Sequence, residues 1–236
     1  MSISHHGFAV AIDGPVGVGK STTARLTAQK LNFTYIDTGA MYRAAALNGI
    51  RAGIDLTDDA ALEASLDTCI IELHYVDRAQ RVFLNGDDVT DKIRDLEVSE
   101  GSSVCGSNAY VREKMVAAQQ KMAQDGRVVM DGRDIASVVI PWAQVKIYLD
   151  ADVHIRAQRR LDDLNHKGLY PTFEEVLEGT KIRDARDMTR EASPLIIVPD
   201  ALVIDTGIKN IDEVSDEIVA LVKERGGLCF INSSEK

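Results

Sequence analysis

The chain has 236 residues, 45% hydrophobic and 27% charged, the balance of a globular protein that can bury one large core without a second independent domain. Its 27 basic and 37 acidic residues give a net charge of −10, which repels nucleic-acid polymers and anionic membrane surfaces at long range. Cys69, Cys105 and Cys229 lie far apart with no C-x-x-C pair, and no apolar run makes a leader or reaches the roughly 20 residues of a membrane span. A reducing cytoplasm is therefore expected, with neither a disulfide framework nor a zinc site; a monomer is expected as well.

In chain order, residues 7–12 are a short apolar run that ends at Asp13-Gly14-Pro15, the pattern of a buried parallel strand opening into a glycine turn. Residues 20–31 follow with Ala24, Leu26, Ala28 and Leu31 at helical spacing. Between Leu56 and Ser99 the pattern changes. A short acidic helix precedes Ile71, Leu73 and Tyr75 alternating with polar residues, then Val82, Leu84 and an Asn85-Gly86 turn. Period two beside turns predicts antiparallel strands, which are foreign to a doubly wound core and mark an inserted subdomain, bounded at 51–104.

Beyond it, helical patterns at 110–124, 153–166, 172–191 and 211–224 alternate with apolar runs at 128–130, 145–149 and 202–204, read as buried strands. The expected fold class is α/β, a parallel sheet of the P-loop NTPase type with helices on both faces, plus the small antiparallel insert and a helical lid. The core would comprise 1–50, 105–155 and 192–228, and the lid 156–191, with Gly168 and Gly179 as soft points. Gly126 sits where a helix C-cap is expected, Thr172 with Glu175 makes a capping box, and 232–236 reads as a frayed tail.

Gly14-Pro15-Val16-Gly17-Val18-Gly19-Lys20-Ser21 fits G-x-x-x-x-G-K-[ST] at every fixed position, after a strand and before a helix. The glycines let backbone N–H groups turn inward onto phosphate oxygens, and the helix N-terminus adds partial positive charge. Lys20 is expected to reach the β- and γ-phosphates of ATP, and the Ser21 hydroxyl to hold Mg²⁺. No N-K-x-D guanine-reading tetrapeptide occurs, and the nearest Walker B candidate, Val128-Val129-Met130-Asp131, runs into Gly132-Arg133-Asp134. That combination favours a small-molecule phosphotransferase over a GTPase or a motor ATPase.

Moving a phosphoryl group between two anions depends on positioning and on neutralising charge with Mg²⁺, Lys and Arg. An acidic chain must gather that positive charge locally. Arginines cluster at Arg43, Arg112, Arg133, at Arg156, Arg159 and Arg160, and at Arg183, Arg186 and Arg190, the last three spaced to share one helix face. Pairing of Arg186 with Glu178 or Asp187 is the structural alternative. A monophosphate acceptor is already ionised near neutral pH, its second pKa being about 6, so no general base is required. Asp131, Asp134 and Asp187 are then metal-shell residues or acceptors for ligand amines and hydroxyls. A nucleotide sensor without turnover is the competing class.

The ordered series Ala11-Ile12-Asp13-Gly14-Pro15, Asp37-Thr38-Gly39-Ala40-Met41-Tyr42-Arg43, Asp131-Gly132-Arg133-Asp134, Lys146-Ile147-Tyr148-Leu149-Asp150-Ala151 and Arg183-Asp184-Ala185-Arg186-Asp187 resembles bacterial cytidylate kinase, a branch of the nucleoside monophosphate kinases. The resemblance implies transfer of the ATP γ-phosphate to CMP or dCMP, with Mg²⁺. It implies donor binding by Gly14 through Ser21, Thr22 and Arg159, and a metal held at Ser21 and Asp131. Charge stabilisation would come from Lys20, Arg133, Arg183 and Arg190. Thr38 and Arg43 would meet the acceptor phosphate, Ser103, Arg112 and Asp134 the cytosine edge, and Asp187 the ribose. Ser102 stands beside Ser103, and either could be the base reader. Cytosine pairs an amino donor with ring acceptors, so Asp134 could accept from N4 while Arg112 donates to N3 or O2, a pattern that uracil reverses.

Overall fold

The computed structural model describes residues 7–76 and 79–226, so the expected frayed tail at 232–236 lies outside the described residues. β1 (Ala9–Asp13) leads through the glycine loop into α1 (Lys20–Leu31), and β2 (Thr34–Asp37) returns. Residues 36–121 cluster as a unit distinct from the remainder, 1–35 with 122–236. They carry α2 (Thr38–Arg51), α3 (Asp59–Asp67), β3 (Ile71–Val76), β4 (Ala79–Leu84), β5 (Asp87–Asp88), α4 (Leu96–Cys105) and most of α5 (Ala109–Ala123). The chain re-enters the first unit at β6 (Val128–Gly132), followed by a π-helical turn at Ile135–Val139 and β7 (Val145–Asp150). After these come α6 (Val153–His166), α7 (Phe173–Thr189), β8 (Leu202–Asp205) and α8 (Ile211–Glu224).

In the larger unit the sheet order is β2-β6-β1-β7-β8. β1 lies between β6 and β7, parallel to both, with Ile12 opposite Asp131 and Asp13 opposite Gly132 on one side and Tyr148 on the other. β1 and β6 bury every residue and β7 all but its last, so both faces of the sheet centre are covered. This is the physical reason those segments read as unbroken apolar runs rather than as alternation. One face carries Val10, Ile12, Val145, Ile147 and Leu149 against Ala24, Ala28 and Leu31 of α1 and Val214, Ile218 and Val222 of α8. The spacing of the α8 residues forms one apolar stripe, and each such side chain fully buried contributes about 1.5–3 kcal/mol. Asn210 and Glu213 form a reciprocal capping box that starts the helix.

The run at 202–204 departs from its expected burial. Among the described residues β8 pairs with β7 alone, at the sheet edge, and Leu202 and Val203 are exposed while Ile204 enters the core. The expected 172–191 helix ends earlier, because Arg190 takes an extended conformation (φ −59°, ψ 142°) as the C-cap of α7. At its other end, Thr172 and Glu175 form the foreseen capping box. Gly126 takes a positive φ of 69° and its N–H donates to Ala123 O, closing α5 as expected.

The 36–121 unit encloses the 51–104 segment. Its antiparallel sheet, β3-β4-β5, pairs Ile71 with Leu84 and Val76 with Ala79. Asn85 and Gly86, both at positive φ (52° and 87°), make the tight turn from β4 to β5. Val82 and Leu84 of β4 are buried, as are Val89 and Ile93 just beyond β5. α2 packs on α4, where a Cβ added to Gly101 would lie 3.3 Å from Ala46 Cβ, and Ala44, Ala45 and Ala46 are all buried. Neither helix was foreseen: their small and polar residues give little apolar contrast at period 3.6. β2 was also unforeseen, since its four residues are too few for a pattern.

Candidate active site

The phosphate loop is shaped by its neighbours in the sheet. Gly14 has φ 148°, and a Cβ there would lie 2.2 Å from Leu149 O, so the loop leaves β1 pressed against the backbone of β7. α1 starts at Lys20, directly after the loop, and Lys20 is buried with its Nζ donating to Pro15 O at 2.6 Å. Burial, with the Arg133 guanidinium nearby, pushes the Lys20 ammonium well below its ordinary pKa, against the pull of Asp131 and Asp187. The same ammonium is thus in the electrostatic range of four sequence-predicted residues, Asp131, Arg133, Arg183 and Asp187.

Because Ile12 and Asp131 are partners across β1 and β6, the Asp131 carboxylate emerges beside the first turn of α1. Ser21 Oγ donates to Asp131 Oδ2 at 2.9 Å, and Tyr35 OH donates to Asp131 Oδ1 at 2.8 Å. The Arg25 guanidinium covers the Tyr35 ring at 5.6 Å. One strand away, the buried Asp13 carboxylate accepts from the N–H groups of Ile135 (2.9 Å) and Ala136 (2.8 Å). It therefore caps, from another element, the turn that follows Asp134. Burial drives the Asp13 pKa up to about 7, against the lowering effect of those two N–H groups.

The Asp131-Gly132-Arg133-Asp134 run meets the end of α7. Arg133 Nε donates to Asp187 Oδ2 at 2.7 Å and its Nη1 to Gly132 O at 3.2 Å. Arg190 approaches both Asp134 Oδ1 and Asp187 Oδ1 at 3.9 Å, and its Nε donates to Ser193 O at 2.8 Å. Arg183 stands half-buried on α7, and its charge acts on Asp187. Asp187 thus pairs with Arg133 and Arg190, whereas the sequence had offered Arg186 as its partner. Of the predicted donor-site residues, Thr22 is exposed on the first turn of α1. Arg159 donates to Thr206 Oγ1 (3.1 Å) and Thr206 O (2.7 Å), and Thr206 Oγ1 in turn donates to Val18 O in the phosphate loop at 3.0 Å.

Four other predicted residues belong to the 36–121 unit. Asp37 caps α2 by accepting from Ala40 N at 3.0 Å and holds Arg43 Nη2 at 2.7 Å, with Thr38 buried at the first helical position. Arg112 is 3% exposed, donates from Nη1 to Gly106 O at 3.1 Å, and stacks over the Tyr42 ring at 5.3 Å. The adjacent serines differ. Ser102 Oγ donates to Ser99 O at 2.7 Å, while Ser103 Oγ is buried with no hydrogen-bond partner among the described residues.

Sequence reasoning assigned no role to Asp13, Tyr35 or Asp184, and left Arg156 an unassigned member of a cluster. Asp184 could have been suspected, since Thr180, Asp184 and Asp187 recur at the spacing of one buried helix face, where a carboxylate needs a partner.

Ser21 and Asp131 offer a hydroxyl and a carboxylate oxygen side by side, the hard oxygen donors that suit Mg²⁺ when substrate phosphates complete its shell. Among the described residues no group of three or more His, Cys, Asp or Glu is placed to hold a metal by itself. With a phosphate cradle, a cationic cluster and that donor pair in one unit, the arrangement is chemically suited to phosphoryl transfer.

The family model described as cytidylate kinase matches residues 10–224. The cytidylate kinase of Bacillus velezensis is 46% identical over 217 residues, covering 92% of this chain and 97% of that protein. Those of Lysinibacillus sphaericus and Bacillus subtilis are each 45% identical over 92% of this chain, covering 96% and 97% of their own lengths. The agreement spans the phosphate loop, the inserted unit and the arginine-bearing helices, and the chain belongs to the cytidylate kinase family.

Proposed function

We propose that the enzyme transfers the γ-phosphate of ATP to CMP or dCMP, giving ADP and CDP or dCDP, in the cytoplasm. The observation that carries the phosphotransfer part is the gathering of Lys20, Arg133, Arg183 and Arg190 around Asp131, Asp134 and Asp187 in a chain of net charge −10. Such a cluster opposes the overall field of the protein, and two anionic substrates are the ligands that make it useful.

In this reading the loop from Gly14 to Ser21 and the adjoining Thr22 receive the donor phosphates. Arg159, anchored on Thr206, joins the donor site. Ser21 and Asp131 would hold Mg²⁺, which when bound neutralises charge on the phosphate oxygens. Lys20 leaves Pro15 O for the β- and γ-oxygens as the donor enters. Arg133, fixed through its Nε on Asp187, Arg183 and Arg190 balance the charge shared between leaving and attacking oxygens. No side chain has to remove a proton, since the acceptor phosphate arrives largely ionised, its second pKa being about 6.

Arg43 and Thr38 take the role of meeting the acceptor phosphate, and Asp187 faces the ribose. Ser103, Arg112 and Asp134 read the base: Asp134 accepts from the cytosine amino group while Arg112 donates to N3 or O2. The buried hydroxyl of Ser103, which has no hydrogen-bond partner among the described residues, supports this assignment, because such a group costs about 1–3 kcal/mol unless a ligand supplies a partner. Residues 51–104 act as the monophosphate-binding insert and 156–191 as the lid that excludes water.

A coupled ADP-release assay with Mg-ATP and CMP, dCMP, UMP, AMP or no acceptor tests the proposal. Turnover dominated by CMP and dCMP, with a silent blank, is expected. Release without acceptor, or with another acceptor alone, would overturn the cytosine-reading roles while leaving the phosphate loop in place.

A further inference from the structure

Val16, in the arch of the phosphate loop, has both of its backbone polar groups taken by side chains from the two helices that follow β7. Its N–H donates to Asp184 Oδ1 at 3.4 Å, and its carbonyl accepts from Arg156 Nη1 at 3.1 Å. The same Nη1 donates to Asp184 Oδ2 at 2.6 Å, closing a ring of three contacts around one residue. Arg156 Nε donates to Ala151 O at 2.9 Å, which fixes the guanidinium at the start of α6. Both ionic side chains are buried, Arg156 at 6% and Asp184 at 7% exposure. The α6 backbone also rests on the loop, since a Cβ on Gly17 would lie 2.8 Å from Arg156 O.

A loop with glycine at three of its eight positions has weak conformational preferences there, and holding it in one shape costs entropy that must be met from outside. Its N–H groups favour phosphate strongly only when they are already aimed before the ligand arrives. A lone carboxylate beside a phosphate site would repel the ligand. Here the Arg156 guanidinium neutralises Asp184, so the carboxylate can hold the loop without presenting a net negative charge.

We propose that Asp184 and Arg156 are positioning residues that clasp the phosphate loop through both backbone groups of Val16, holding it in its nucleotide-receiving shape and setting the affinity for the donor nucleotide rather than for the acceptor. The proposal rests on the reading of the loop as the ATP site, and Mg-ADP binding by the wild-type chain checks that reading separately. Absence of wild-type binding would remove the donor assignment itself. Binding by the wild type that the variants reproduce would remove only the clasp.

Titration calorimetry of the full chain with Mg-ADP and with CMP tests the clasp. Asp184→Asn keeps the size of the side chain but loses its charge, and is expected to weaken Mg-ADP at least tenfold while changing CMP less than twofold. Arg156→Lys keeps the charge but cannot make the Nε and Nη1 bonds together, and is expected to give the same split. The double variant is expected to be no weaker for Mg-ADP than the worse single one. Equal weakening of Mg-ADP and CMP, or no weakening of either, would overturn the proposal. Should a variant not fold, amide exchange in the nucleotide-free wild type decides: the Val16 amide is expected to exchange at least tenfold more slowly than an unstructured peptide, and exchange at the peptide rate overturns the clasp.

Discussion

Arg133 Nε and Asp187 Oδ2 lie 2.7 Å apart, joining the turn after β6 to the last turn of α7 with both side chains largely withdrawn from solvent. Burial by itself would raise the Asp187 pKa, but Arg133, Arg183 and Arg190 outweigh it and hold the carboxyl below its ordinary range. A depressed acid binds fewer protons folded than unfolded. Its stabilisation is therefore complete above the unfolded pKa, about 3.9, and is lost as pH falls through the lower folded value. Asp187→Asn is expected to destabilise the protein by about 1–3 kcal/mol at pH 7, because the partly buried Arg133 guanidinium loses its hydrogen-bonded carboxylate while Asp131 and Asp184 still offset part of its charge. The gap between variant and wild type should narrow below about pH 4. Urea unfolding of both proteins from pH 7 to pH 3 measures it, and a gap that stays constant or widens toward acid contradicts the assignment.

Tyr35 and Ser21 donate to opposite oxygens of Asp131, so the carboxylate is aimed from both sides. Groups that orient a metal-binding side chain commonly change metal affinity by about 10–100-fold when removed. Tyr35→Phe is expected to raise the Mg²⁺ concentration needed for half-maximal turnover by about tenfold, at the lower end of that range because Ser21 still holds the second oxygen. Turnover at saturating Mg²⁺ should stay within a few-fold of wild type. Titration of activity with Mg²⁺ at fixed ATP distinguishes this from a general loss of kcat at unchanged metal requirement.

The parallel core was legible because its strands are buried on both faces and so form apolar runs, and the phosphate loop because its fixed residues must serve backbone geometry. The antiparallel insert was legible from period two and the Asn85-Gly86 pair. Helix α2 was not, since Ala44, Ala45, Ala46 and Gly49 pack by smallness and leave no apolar stripe. β8 was misread as buried because composition cannot tell a central strand from an edge strand such as the one carrying Leu202 and Val203. At the site, the charged types were visible but their pairing was not. Asp187 binds Arg133, 54 residues away, rather than the helical neighbour Arg186 that spacing suggested. Ser21 and Asp131 were expected together only through the family resemblance, because their juxtaposition depends on strand register, which no local pattern encodes.

Ser102 and Ser103 are adjacent and both buried, yet they should respond oppositely to truncation. Ser102→Ala removes a hydroxyl that donates to Ser99 O, and is expected to reduce stability by about 1 kcal/mol while leaving the KM for CMP unchanged. Ser103→Ala removes a buried hydroxyl that has no partner among the described residues, so stability should hold or rise slightly. If that hydroxyl serves the base, the KM for CMP rises by about fivefold to tenfold, the equivalent of one hydrogen bond. Melting temperatures and CMP kinetics of the two variants suffice, and a KM effect that follows Ser102 instead would reassign the reader.

Asp134 is 3% exposed, with Arg190 Nη2 at 3.9 Å, so its buried carboxylate has a cationic neighbour that offsets its charge. A carboxylate has only acceptor oxygens when ionised. It matches the amino group of cytosine and faces the O4 carbonyl of uracil with no proton between them, a mismatch worth about 1–3 kcal/mol. Asparagine at this position keeps the shape but adds an N–H₂ donor, which suits uracil O4 as well as its oxygen suits cytosine N4. Asp134→Asn is therefore expected to lower the ratio of kcat/KM for CMP over UMP by about tenfold or more, through loss with CMP and gain with UMP together. Arg190 also changes partners in this variant, so kcat should fall with both acceptors. The ratio cancels that shared loss and isolates base reading. An unchanged CMP to UMP ratio would remove Asp134 from base recognition and leave it as a counter-ion to Arg190.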